Sequence, residues 1–226
     1  MKSRIFSIGM SLMASCLLAR SVSAQLSTPP ASKEELEAVY TTAIEGRTTA
    51  ILKPLNLTDS VKSNELHDIL IAQYRALRAR DEAIDAKLQA QGQEINYSNR
   101  MDQLASATRS LHEQFLAKLN QDLTPAQVDQ VKDLMTYNKV KFTYDGYCSI
   151  VPDLTDADKA KIMDFLKDAR EEAMDGGSAR EKSSIFQKYK DEINVYLDAH
   201  GHNVAKATSD WQAAHTSASA TTTTAH

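Results

Sequence analysis

The sequence has few of the residues that mark irregular or covalently stapled proteins. Seven Gly and five Pro in 226 residues exclude collagen-like chains and Pro/Gly-rich disorder. Two cysteines, Cys16 and Cys148, are too few for a disulfide scaffold. No apolar run reaches the roughly 20 residues that a membrane-spanning helix requires. Positive charge is not in excess either: the net charge of -4 has the wrong sign for a nucleic-acid binder. What remains is 42% hydrophobic and 25% charged, with aromatics at 6%. This is the composition of a soluble globular chain, long enough for one domain or two small ones.

Lys2 and Arg4 precede a mostly apolar, acid-free stretch from Ile5 to Ala19, and Ser21-Val22-Ser23-Ala24 forms a small-residue exit. That is the layout of a secretory signal peptide cut after Ala24, which places the mature protein in the periplasm or outside the cell. Met13-Ala14-Ser15-Cys16 offers a rival reading as a bacterial lipobox with Cys16 lipidated. The apolar run continues through Leu17-Leu18-Ala19, which favours the later exit. Losing Lys2, Arg4 and Arg20 with this segment takes the net charge from -4 to -7 and leaves Cys148 as the lone thiol. No nucleic acid and no membrane span are therefore expected among its partners.

The rest reads as helices separated by caps. Ser32 with Glu35 is a capping box, and Leu36, Val39, Tyr40, Ala43, Ile44 and Ile51 keep a helical period until Pro54. Thr58 is the expected cap of a second helix carrying Leu66, Leu70, Tyr74, Leu77, Ile84 and Leu88. A polar turn from Gly92 to Asn99 precedes a third, with Leu104, Leu111, Phe115 and Leu119. Thr124-Pro125 with Gln127, Thr155 with Asp158, and Ser178 with Glu181 open three more. A short last helix is expected near Asn203 to Ala214. Val140, Phe142, Tyr144, Tyr147, Ile150 and Val151 are β-formers around Asp145-Gly146, a turn signal. The expected fold is all-α: a multi-helix bundle of about six to seven helices, with one extended aromatic connection around residues 139-153. In this reading a leader at 25-31 precedes a single helical domain at 32-214, and a disordered Ser/Thr/Ala-rich tail follows at 215-226.

Two resemblances add to this. Leu123-Thr124-Pro125-Ala126-Gln127 resembles the Leu-Thr-x-x-Gln motif of small helical periplasmic stress chaperones. A longer one runs through Val131-Lys132-Asp133-Leu134-Met135-Thr136-Tyr137, Phe142-Thr143-Tyr144-Asp145-Gly146-Tyr147 and Val151-Pro152-Asp153-Leu154-Thr155. It continues in Ala169-Arg170-Glu171-Glu172-Ala173-Met174-Asp175-Gly176-Gly177-Ser178 and in the segment from Phe186 to Leu197. These segments resemble a family of exported bacterial proteins catalogued as domain of unknown function 3826. That resemblance implies an exported helical domain and supplies no activity or catalytic residue.

On their own account the residues show no metal signature. The six histidines lack i,i+4 His pairs and no His-Glu-x-x-His occurs, so no metal and no cofactor are expected. His200 and His202 stand where an imidazole faces a helix's last carbonyls. Cys148 is a possible reactive thiol, although no His partner is signalled; a lone Cys among apolar residues is more often a small core residue. The aromatic strip with Tyr144 and Tyr147 suits stacking on a sugar or aromatic ligand. Asp133, Tyr137, Arg170, Asp175, Lys188 and Tyr189 are the polar side chains expected to line the same region, or else to tie helices together. The sequence thus points first to a non-catalytic binding module for a small molecule, glycan or peptide, carbohydrate being the favoured class. A periplasmic chaperone or envelope-stress protein comes second, and an enzyme third.

Overall fold

A computed structural model of the chain describes residues 32-222. The signal-peptide and leader segments read from the sequence lie outside them. Eight helices occur among the described residues: α1 (Lys33–Leu55), α2 (Ser60–Ala90), α3 (Tyr97–Asp122), α4 (Pro125–Met135), α5 (Lys139–Ile150), α6 (Asp156–Met174), α7 (Ala179–Ala199) and α8 (Val204–Thr222). None is long and apolar enough to cross a membrane. Local chemistry sets most of their starts. Reciprocal capping boxes form at Ser32/Glu35, Thr124/Gln127 and Thr155/Asp158, and Ser178 accepts from the Glu181 amide. The cap of α2 is Asp59, whose carboxylate accepts from Val61 and Lys62, one residue beyond the expected Thr58. α8 continues through Thr222, into the stretch read from composition as a disordered tail.

The aromatic connection is the main correction. Residues 139-150 are helical and no strand or hairpin forms there, so the helices exceed the six to seven expected. The physical reason is a stripe at helical spacing. Val140, Tyr144, Tyr147, Cys148 and Val151 fall on one face and pack against α6–α8. Burying that stripe outweighs a helix-propensity deficit of only a few tenths of a kcal/mol per β-former. Asp145-Gly146 is mid-helix rather than a turn, and Phe142 points away from the core, 82% exposed. The true reversal lies earlier. α4 ends in a Schellman arrangement, with Tyr137 donating to Leu134 O and Asn138 to Asp133 O (2.8 Å). Tyr137 and Asn138 hold the left-handed conformation there, without the glycine that usually signals it.

Two apolar cores organise the bundle. The first is built from α1–α4, around Ile44, Leu70, Leu119 and Val131, and Met174 at the end of α6 reaches into it. The second joins α5–α8 around Ile162, Leu166, Ile193 and Leu197. A small cluster of Ile84, Leu88 and Leu104 ties α2 to α3. The α2–α3 and α6–α7 pairs make the most extensive helix contacts, and the two hairpins face each other at the end of α6.

Candidate functional site

The structure distributes the sequence-derived candidates over several places. Arg170, buried on α6, ion-pairs with Asp129 (2.7 Å) and Asp133 (2.9 Å) of α4, and Glu171 beside it pairs with Lys132 (2.8 Å). Lys188 and Tyr189 of α7 both bond Glu172 of α6, at 2.9 and 3.0 Å. Tyr147 donates to Asn194 Oδ1 (2.8 Å) and Lys190 O (3.1 Å), and burial holds its phenol well above the usual pKa. Tyr144 and Cys148 are half-buried against the second core. Tyr137 is half-exposed at the α4–α5 reversal. Phe142 and Tyr147 share a separate cavity of about 300 Å³ with Lys190 and Asn194. The aromatic strip and the polar set therefore do not form one site.

Only Asp175 leads to a larger one. It caps α6 and is 5% exposed. Its Oδ2 lies 2.6 Å from His112 Nδ1 of α3, its Oδ1 accepts from Gln73 of α2 (3.3 Å), and its carbonyl accepts from Arg80 (2.9 Å). Three helices are tied at one residue. The bond to Asp175 raises the His112 pKa, against the opposing effect of burial. It also fixes a proton on Nδ1, which leaves Nε2, 3.9 Å from Glu171 Oε2, on the cavity side. Just beneath, Lys182 donates to the last carbonyls of α6, Ala173 O and Met174 O, both at 2.9 Å. Burial pushes its pKa down to about 8.

His112 closes one end of a groove. Arg100, Leu104, Thr108 and His112 recur every fourth residue along one face of α3, in line with its cap Asn96, and each of the five lines the groove. The first turns of α7 form the facing wall with Glu181, Ser184 and Ile185, while Arg80 and the end of α6 form the floor. One cavity of about 360 Å³ surrounds His112; a second of about 420 Å³ adjoins it, with Leu104 and Glu181 lining both. α3 packs on α2 and α4, and α7 on α6 and α8, which leaves this face between them open.

The charge on the groove's floor and inner walls is mostly paired within the protein, while Arg109, Glu113 and Arg180 stand at its exposed rim. Arg80 bonds Thr108 (2.9 Å) and Asp81 (2.8 Å). Arg100 reaches Asp85 (3.0 Å) and Asp81 (3.5 Å). Glu171 has Lys132 and Arg170, Glu172 has Lys188, and Glu181 accepts from the Gly177 amide (2.9 Å). Paired in this way, the side chains still present spare donor and acceptor positions beside the aliphatic faces of Leu104 and Ile185. Among the described residues, no three His, Cys, Asp or Glu side chains gather so as to hold a metal ion.

Sequence reading passed over His112, Gln73 and Arg80. Their partner is 63 to 102 residues away, so no local spacing announces them. The run of groove residues from Asn96 through α3 is a visible signal, but its mixed polarity resembles an ordinary solvated helix face. No curated protein matches the chain. A family model described as "Protein of unknown function (DUF3826)" matches residues 41–216, from α1 into α8 and across the whole groove, and the chain belongs to that family.

Proposed function

We propose that the protein is a non-catalytic, exported binding module whose ligand, a neutral carbohydrate, occupies the cavity around His112. The observation that carries this reading is the internal pairing of the charges on the groove's floor and inner walls, Arg80, Arg100, Glu171 and Glu172. An ionic ligand would have to compete with existing partners such as Asp81, Lys132 and Lys188. A neutral, hydroxyl-rich molecule instead bonds the remaining positions and sets its apolar face on Leu104 and Ile185. The cavity volume falls within the roughly 300–1,000 Å³ common for small-molecule sites. Export is supported by the layout of residues 1-24, and N-terminal sequencing of secreted material should begin at Gln25. Titration calorimetry against a panel of neutral glycans tests the ligand class. We expect saturable binding by the full mature chain and at least tenfold weaker binding by His112→Ala. A panel without a binder sinks the reading.

An enzyme is the second reading, and one observation favours it. A buried carboxylate that orients an imidazole whose other nitrogen faces a cavity is the arrangement of a general acid or base. Turnover of a bound glycan by the wild type, abolished in His112→Gln with binding retained, would replace the non-catalytic reading. The chaperone alternative finds less support, because the groove offers few apolar side chains to an unfolded client.

A further inference from the structure

The cavity around His112 is only half of the open space between α3 and α7. Beyond Leu104 and Glu181 it continues past Ser184 and Arg180 towards Ile95 and Asn96. From His112 back to Asn96 an α-helix advances roughly 24 Å at 1.5 Å per residue. The α3 wall is therefore straight and long, with a polar or aliphatic group at every turn. A single sugar fills one end of such a trough and leaves the other half in water.

We infer that the groove takes a linear neutral oligosaccharide several units long, laid along α3 with one end at His112. This rests on the carbohydrate reading above. Three features favour such a chain over an extended peptide. The walls are helices, whose backbone groups are already bonded internally, so no strand edge is offered to peptide amides. A helical peptide would need apolar anchor pockets at i, i+3 or i+4 and i+7; the groove has only Ile95, Leu104 and Ile185, separated by charged and hydroxyl side chains. Arg100 in the far half is tied to Asp85 and Asp81, as Arg80 is in the near half, and Arg180 stands at the exposed rim, so the inner face of the far half also suits a neutral ligand. A chain of hydroxyls over apolar ring faces matches a wall that sets Leu104 between amide, guanidinium, hydroxyl and imidazole groups, with Ile185 and Ile95 on the other sides.

The test is the dependence of affinity on chain length. The mature full-length protein is titrated with defined β-1,4-gluco-, manno- and xylo-oligosaccharides and α-1,4-gluco-oligosaccharides of one to six units. A flexible Gly/Ser/Thr peptide serves as the comparison. In the series that binds, affinity should rise at least tenfold between two and six units. Ser184→Trp, which fills the far half, should erase that rise. Arg180→Trp, at an exposed position of the same half, is the second variant expected to do so should Ser184→Trp fail to fold. Full affinity at one or two units, or a length gain that survives in the folded variants, overturns the extended site and leaves the carbohydrate reading standing. Failure of every sugar at every length overturns both, as does length-dependent binding of the peptide alone.

Discussion

His112 and Lys182 sit on either side of the α6 terminus and titrate with opposite consequences. Bonding to Asp175 raises the His112 pKa above the roughly 6.5 of an unfolded-chain histidine. The pair therefore stabilises the fold in full below about pH 6.5, and that contribution fades as pH rises through the folded value. Lys182 behaves in reverse. Its pKa is depressed to about 8 by burial, so a cost is present while the ammonium is charged in both states. That cost lifts as pH climbs from about 8 towards the unfolded value near 10.4. Urea unfolding should show His112→Gln losing more stability at pH 5.5 than at pH 8.5, with nuclear magnetic resonance following the imidazole directly. Asp175→Asn should lower the His112 pKa and cost about 1–3 kcal/mol, because the amide keeps only one of the two buried acceptor oxygens that Gln73 and His112 use. An imidazole titration unchanged in Asp175→Asn would disprove the assignment.

At the scale of elements, one glycine separates what α5 is from what its sequence suggests. Gly146 lies in mid-helix with open space where a Cβ would stand. Gly146→Ala should therefore stabilise the protein by about 0.5–1 kcal/mol, as helix propensity dictates; a destabilisation there would restore the turn reading of Asp145-Gly146. Gly177 is the opposite case. An added Cβ would come within 1.9 Å of Asp81 Oδ2, and Asp81 is held in place by Arg80 and Arg100. Gly177→Ala should cost about 1–3 kcal/mol in thermal or urea unfolding. The contrast also explains how much was legible. Caps such as Ser32, Thr124 and Thr155 act within four residues, so their residue types announce them. The all-α class followed from periodic apolar stripes for the same reason. α5 was misread because its stripe begins at Val140, directly after a left-handed Tyr137-Asn138 pair that no glycine marks, and because five β-formers share the segment. The site was least legible. Asp175 and Arg170 stand out in the sequence as polar candidates, but their partners on α2, α3 and α4 are fixed only by tertiary packing.

At the scale of the whole molecule, what joins the two cores is mostly polar. Met174 is the apolar link from α6 into the first core. Around it stand Arg170 with Asp129 and Asp133, Lys132 with Glu171, and Asp175 with His112, Gln73 and Arg80. Such bonds depend on geometry and lose strength together once one partner moves. They should hold the halves to a single cooperative transition in the wild type. The chain supplies a reporter for this, since its one tryptophan, Trp211, lies on α8 in the second half, stacked on His215 at 3.9 Å. In the wild type, the urea midpoint from Trp211 fluorescence should coincide with that from far-ultraviolet circular dichroism. Arg170→Ala removes the cation between Asp129 and Asp133 and should cost about 1–3 kcal/mol. With that tie gone, the two probes should separate, the fluorescence following α5–α8 alone while the dichroism averages both halves. Arg170→Lys, which keeps the charge but not the planar fork, should fall between the two. Coincident midpoints in Arg170→Ala would mean that Met174 and the remaining ties suffice. The groove between the hairpins would then be held open without help from the α4–α6 ion pairs.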